Sequence, residues 1–164
     1  MFQVGDLIIY GAHGLCRIDD KCEMTYDGST KDYYVLHPVD DAKLKISVPV
    51  DSNGVSMSKV MDKERAENIL QSFHKPAMPW IAKNTERQHF FNKQVNSGNR
   101  EDIANVLNVL LRRKCELEEE GKKLGTMENN LLSSIQKTMF AELAVALNRS
   151  YEEIEQHVLA AIGQ

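Results

Sequence analysis

The sequence predicts an α+β protein in which a small β barrel or strongly bent sheet precedes a compact all-helical bundle. Three observations carry this reading. Between Phe2 and Val50 apolar residues come in short runs broken by turn residues. After Asp62 they recur at helical spacing. The change of period falls on the polar stretch Asp51-Ser52-Asn53-Gly54, which ends the strand region. The domains are therefore expected over 1–60 and 61–164.

Taken in order, Val4-Gly5-Asp6 signals a turn before the strand Leu7-Ile8-Ile9-Tyr10, and Asp27-Gly28 is a strong hairpin dipeptide. Leu44, Ile46 and Val48 alternate with Lys43, Lys45 and Ser47, which predicts a strand whose first set faces the barrel and whose second faces outward. Asp62 can cap a helix over about 63–73 that buries Ala66, Ile69, Leu70 and Phe73, and His74-Lys75-Pro76 ends it. A second helix is expected from Trp80 to Ser97, stopped by Gly98 as a left-handed cap. Asn99 caps a third, with Asp102 in its first turn and Ile103, Val106, Leu107, Leu110 and Leu111 on one face. Gly121 and Gly125 mark a loop, and Thr126 is expected to cap a fourth helix with the stripe Leu131, Leu132, Ile135, Met139, Phe140 and Leu143. Ser150 and Glu153 form a capping box for a last helix carrying Ile154, Val158, Ala161 and Ile162.

With 42% apolar and 27% charged residues, the 164-residue chain has an ordinary globular composition. No charged leader precedes an apolar stretch and no 18-residue apolar run occurs, so a cytoplasmic protein without a membrane partner is expected. Cys16, Cys22 and Cys115 have neither a C-x-x-C pairing nor a His at metal spacing, and read as reduced, packed thiols. Phosphate-loop, metalloprotease and nucleophile-elbow motifs are absent, so neither cofactor, metal nor enzymatic activity is expected. The sole nucleophile–base pairing that can be drawn joins Cys16 to His13 or His37, in strand sequence where a buried thiol is the simpler reading.

The net charge of −4 is unevenly spread. Residues 1–74 hold 8 Lys+Arg against 12 Asp+Glu; residues 75–125 hold 10 against 7; residues 126–164 hold 2 against 5. The positive middle segment points to a polyanion. It opens on "PAMPWIAK", where the lone tryptophan, Trp80, directly follows the second of two prolines, Pro76 and Pro79, and precedes the cations. Proline fixes the incoming backbone, so the position suggests that the ring is presented.

The opening "MFQVGDLIIYGAHGLCRI", the strand "LKISVP", then "PW", "NSG" and "LLRR" in that order resemble the CarD/CdnL family of bacterial transcription regulators, over nearly the whole chain. The resemblance implies a Tudor-like, SH3-like N-terminal domain that docks on the RNA polymerase β subunit, with Lys43, Lys45, Ser47, Val48 and Pro49 as the contacting strand. It implies a helical domain that meets promoter DNA without reading bases. There Trp80 would wedge into the minor groove at the upstream edge of the transcription bubble, stabilising the open complex, with Lys83, Arg87, Lys93, Arg112 and Arg113 on phosphates. A monomer is expected. The chain departs from the family pattern at Gly11, where proline is usual, and in a longer interval between Trp80 and Gly98. It departs again at Asn129, which replaces a basic residue in the helix start "LGTMEN", and at Ser47, where some relatives carry arginine. Three rival readings are a polymerase-binding module whose helical half contacts protein, a peptide reader with a cage from Tyr10, Tyr26, Tyr33 and Tyr34, and a cysteine hydrolase.

Overall fold

The structure is a computed structural model that describes residues 2–50 and 57–163, apart from the side chain of Ala12. The expected turn at Asp51-Ser52-Asn53-Gly54 lies outside the described residues. The chain divides into two compact units, Met1–Val60 and Met61–Gln164, each with its own apolar core.

The first unit is an antiparallel sheet of β1 (Leu7–Tyr10), β2 (Gly14–Tyr26), β3 (Ser29–Pro38), β4 (Ile46–Pro49) and β5 (Met57–Lys59), in the order β4-β3-β2-β1-β5. Asp27 and Gly28 link β2 to β3 with φ of 51° and 77°, the doubly left-handed turn that the Asp-Gly dipeptide favours. The β2–β3 register shifts between Ile18 and Asp20, making Asp19 a bulge residue. Ile8, Cys16, Ile18, Tyr34, Leu36 and Val48 form the core.

The strand expected from Leu44 is shorter than its alternation implied. Leu44 is 41% exposed and precedes β4, because Asp41 N–H bonds the Pro38 carbonyl and Leu44 N–H bonds the Asp41 carbonyl, folding this stretch into turns. From Ile46 onward the expected faces hold, with Val48 buried and Ser47 exposed.

The second unit holds α1 (Lys63–Ser72), α2 (Asn84–Asn96), α3 (Arg100–Glu119), α4 (Thr126–Leu147) and α5 (Tyr151–Ala161). Asp62, Asn99 and Ser150 cap α1, α3 and α5 by accepting from the backbone N–H of Arg65, Asp102 and Glu153. Gly98 ends the α2 region at φ 74°. α1 packs on α3, α4 and α5, α2 on α3, and α4 on both α3 and α5, enclosing Phe73, Phe91, Leu107, Leu110, Phe140, Leu143 and Ile154.

Two helix starts differ from expectation. α4 is preceded by Gly125 rather than capped by Thr126, which is its first residue. α2 begins at Asn84 rather than Trp80, and Trp80 lies in the non-helical segment before it. The first ladder bond runs from Arg87 N–H to the Lys83 carbonyl, while the carbonyls of Ile81 and Ala82 are taken by the Arg87 side chain. The two carbonyls that would have continued the helix toward Trp80 are thus drawn off its axis.

Two carboxylates sit in the helical core, each beside an arginine. Glu142, 1% exposed, accepts from Arg100 Nε at 2.6 Å and from the Met61 backbone N–H at 2.9 Å. Glu128, 7% exposed, accepts from Arg87. Burying a carboxylate is tolerable when such partners replace its water.

Candidate functional site

The helical unit carries a cleft of about 430 Å³ lined by, among others, Trp80, Asn84, Arg87, Arg113, Leu124 and Glu128. Trp80 is half-buried at this cleft. One ring contact is edge-on to the buried Phe91, with centroids 6.1 Å apart. The Arg87 guanidinium carbon lies 4.7 Å from the indole centroid and that of Arg113 lies 5.2 Å away, so two cations address the π-system. Trp80 is therefore partly packed against the helical core and beside two cations rather than standing clear of the surface.

Arg87 is more constrained than a surface cation. Its Nε and Nη2 donate to Glu128 Oε1 at 2.9 and 2.6 Å, Nη1 donates to the Ile81 and Ala82 carbonyls at 2.9 and 3.3 Å, and Nη2 also donates to Asn84 Oδ1 at 2.7 Å. A guanidinium has five N–H donors, and all five are accounted for. Direct phosphate binding by Arg87 would require breaking this set.

Arg112 is occupied in a different place: Nε donates to Asn108 Oδ1 at 2.8 Å, and Nη2 to the carbonyls of Phe73 and Lys75 at 2.9 and 3.1 Å. It satisfies the end of α1, where carbonyls lose their helical partners. Arg113 is looser. Its Nη1 lies 3.3 Å from Glu116 Oε2, and its buried Nε has no hydrogen-bond partner. Lys83 and Lys93 are exposed and have no ion pair among the described residues. The fold thus gathers Trp80, Arg87 and Arg113 at one cleft, leaves Lys83 and Lys93 in solvent, and places Arg112 at the α1 terminus.

Glu128, Asn84 and Phe91 were not singled out from the sequence as site residues. For Glu128 a signal existed in its place at the helix start "LGTMEN", but no periodicity reveals which cation a glutamate meets 41 residues away.

In the β unit, β4 is an outer strand of the described sheet and pairs with β3 alone among the described residues. Val50 N–H bonds the Asp32 carbonyl, so by the antiparallel alternation Val48 also turns its backbone to β3 while Ser47 and Pro49 turn theirs outward. Pro49 has no N–H to leave unpaired, which suits an outer strand. Lys45 is 59% exposed, but its Nζ meets Asp19 Oδ2 at 3.0 Å, and His37 Nδ1 meets the same oxygen at 2.7 Å. Hydrogen bonds from His37 and Lys45 hold the Asp19 carboxyl below its usual range.

The aromatics do not form a cage. Tyr10 stacks on His13, Tyr26 meets Tyr33 edge-on, and Tyr34 is 2% exposed against Phe2. Burial pushes the Cys16 thiol up, and the charge of Asp40 adds to this, the opposite of an activated nucleophile. No cluster of three or more His, Cys, Asp or Glu among the described residues could hold a metal ion. No described helix is long and apolar enough to cross a membrane.

Two family descriptions account for the two units. Residues 2–61 match the CarD-like/TRCF RID domain, and residues 68–159 match the CarD C-terminal domain. The first gives the β unit its Tudor-like, RNA polymerase-interacting character. The chain belongs to the CarD family of RNA polymerase-interacting transcription regulators, a family of regulatory proteins rather than enzymes.

Proposed function

We propose that the chain docks on the β subunit of RNA polymerase through the edge of β4 and stabilises the promoter open complex through Trp80. The observation that carries this is the state of Trp80: one ring, half-buried and gripped by Arg87, Arg113 and Phe91, at the mouth of a cleft in the helical unit. A side chain that enters a distorted base step has to be held in position before it arrives, since ordering it on contact costs binding energy. Lys83, Lys93 and Arg113 are the cations available for phosphates. Arg87 and Arg112 support the fold around them and are not assigned direct DNA contacts. With so few phosphate contacts, free-protein binding to DNA is weak and salt-sensitive, and polymerase supplies most of the localisation. In this reading the protein acts as a monomer in the cytoplasm.

Docking through β4 uses the outward backbone of Ser47 and Pro49, with Lys43 and Lys45 flanking it and Val48 holding the strand to its core. Open-complex lifetime on a fixed promoter, measured with wild type, Trp80→Ala and a β4 variant, tests both halves. Loss of lifetime with polymerase binding retained is the result expected of Trp80→Ala. Unchanged lifetime rejects the wedge.

A second reading is favoured by one observation. Since Arg87 and Arg112 are committed internally, the positive balance of residues 75–125 overstates the charge offered to solvent. The helical unit could then contact protein instead of DNA, in which case promoter crosslinking through the Trp80 region fails while polymerase association persists.

A further inference from the structure

We propose that Glu128 is a positioning residue for Trp80, acting through Arg87, and that this buried ion pair sets the orientation in which the indole is offered. The inference rests on the reading of Trp80 as the functional ring. Arg87 bears on Trp80 in two ways at once. Its guanidinium covers the ring at 4.7 Å, and its Nη1 holds the carbonyls of Ile81 and Ala82, the two residues that follow Trp80 in the chain. Both contacts need the guanidinium to stay in one plane at one place.

Glu128 supplies that constraint. Its Oε1 receives both Nε and Nη2, and the pair is only 11% and 8% exposed at the two side chains. Shielded from water, such a charge-assisted pair is strong and directional. Glu128 lies in the first turn of α4 and Arg87 in the first turn of α2, so the pair ties the segment carrying Trp80 to a second helix. Arg113, on α3, closes over the same ring but has an unsatisfied Nε and only a 3.3 Å contact to Glu116. Arg87 is therefore the fixed member of the clamp and Arg113 the movable one.

The test uses the full chain and the fluorescence of its lone tryptophan. Glu128→Gln removes the counter-charge while keeping size, and is compared with Arg100→Gln, which breaks the other buried pair, that with Glu142. Each variant is measured equally far below its own Tm, with circular dichroism to confirm the fold. The expected result is a shift of Trp80 emission to longer wavelength and a higher acrylamide quenching constant in Glu128→Gln, with both unmoved in Arg100→Gln. Open-complex lifetime in Glu128→Gln falls by about two- to tenfold, the penalty for re-immobilising one freed side chain. Should Glu128→Gln fail to fold, Arg87→Lys keeps the charge but loses the planar fork, and the same emission and quenching changes are expected. Unchanged emission and quenching in the folded variant overturn the proposal, as do equal changes in Arg100→Gln. Failure of the underlying reading looks different: Trp80→Ala leaves lifetime unaltered while Glu128→Gln still alters the fluorescence, which upholds the positioning and rejects the wedge.

Discussion

Replacing Trp80 by alanine separates three states of that ring by stability alone. A fully presented indole buries little and its loss leaves the fold nearly intact, whereas truncating a core tryptophan costs about 3–5 kcal/mol. The geometry here lies between them. Trp80 has cations at 4.7 and 5.2 Å and one edge contact with Phe91 at 6.1 Å. At about 0.5–1 kcal/mol for each partly exposed cation–π contact and about 0.5–1.5 kcal/mol for the aromatic pair, the loss lies between about 1.5 and 3.5 kcal/mol, with a midpoint of about 2.5 kcal/mol. For a helical unit of this size, that lowers Tm by about 10–15 °C. Trp80→Phe keeps an aromatic face and falls by less than half as much. Thermal unfolding followed at 222 nm, a wavelength that reports helix, measures both variants. A Trp80→Ala protein melting within about 2 °C of wild type refutes the clamp, because such a shift corresponds to well under 1 kcal/mol. If the melt falls as expected, open-complex decay measured below the variant's Tm then decides whether the ring also acts on the promoter.

Three further outcomes are expected. Ser47→Pro removes the outward N–H of β4 on a strand where proline is tolerated, and with Lys45→Glu beside it polymerase pull-down should weaken; full retention of binding in the double variant argues against docking through this edge. Arg100→Ala takes the paired guanidinium from the Glu142 carboxylate, 1% exposed, and leaves it the Met61 N–H, and should cost about 3–5 kcal/mol in denaturant unfolding; a loss below about 1 kcal/mol would mean that water reaches the site. The third concerns acid. Burial, with the charges of His74 and Arg149, lowers the pKa of His157, whose Nε2 is enclosed without a hydrogen-bond partner. The unfolded chain therefore takes up this proton before the folded one, so stability is undiminished above about pH 6.5 and declines as pH falls below it. His157→Phe should flatten the slope below about pH 6.5 in urea titrations, and an unchanged slope would exclude His157 as its source.

Much of the fold was legible in the chain because local chemistry specified it. Asp62, Asn99 and Ser150 cap the helices expected of them, Asp27-Gly28 makes the hairpin, and the apolar stripes from Ala66 to Val158 lie in the core. A cap, a left-handed turn and a helical period each depend on residues within four positions of one another, so sequence spacing is spatial spacing. The order of the family's motifs along the chain likewise points to the CarD family.

What tertiary structure decided was the state of individual side chains. In the sequence Arg87, Arg112, Lys83 and Lys93 are equivalent cations; in the fold the first pairs with Glu128, the second caps α1, and the lysines remain in solvent. The start of α2 moved from Trp80 to Asn84 for the same reason, since the Ile81 and Ala82 carbonyls found a side-chain donor in Arg87. Leu44 kept the alternation of a strand yet lies outside β4, because the Asp41 turn took its N–H. Each case is a competition for a hydrogen bond or a counter-charge, and the winner depends on which distant group the fold brings within about 3 Å. Periodicity records what a residue prefers to be near, but the occupancy of a guanidinium is settled only when its partners arrive from other helices.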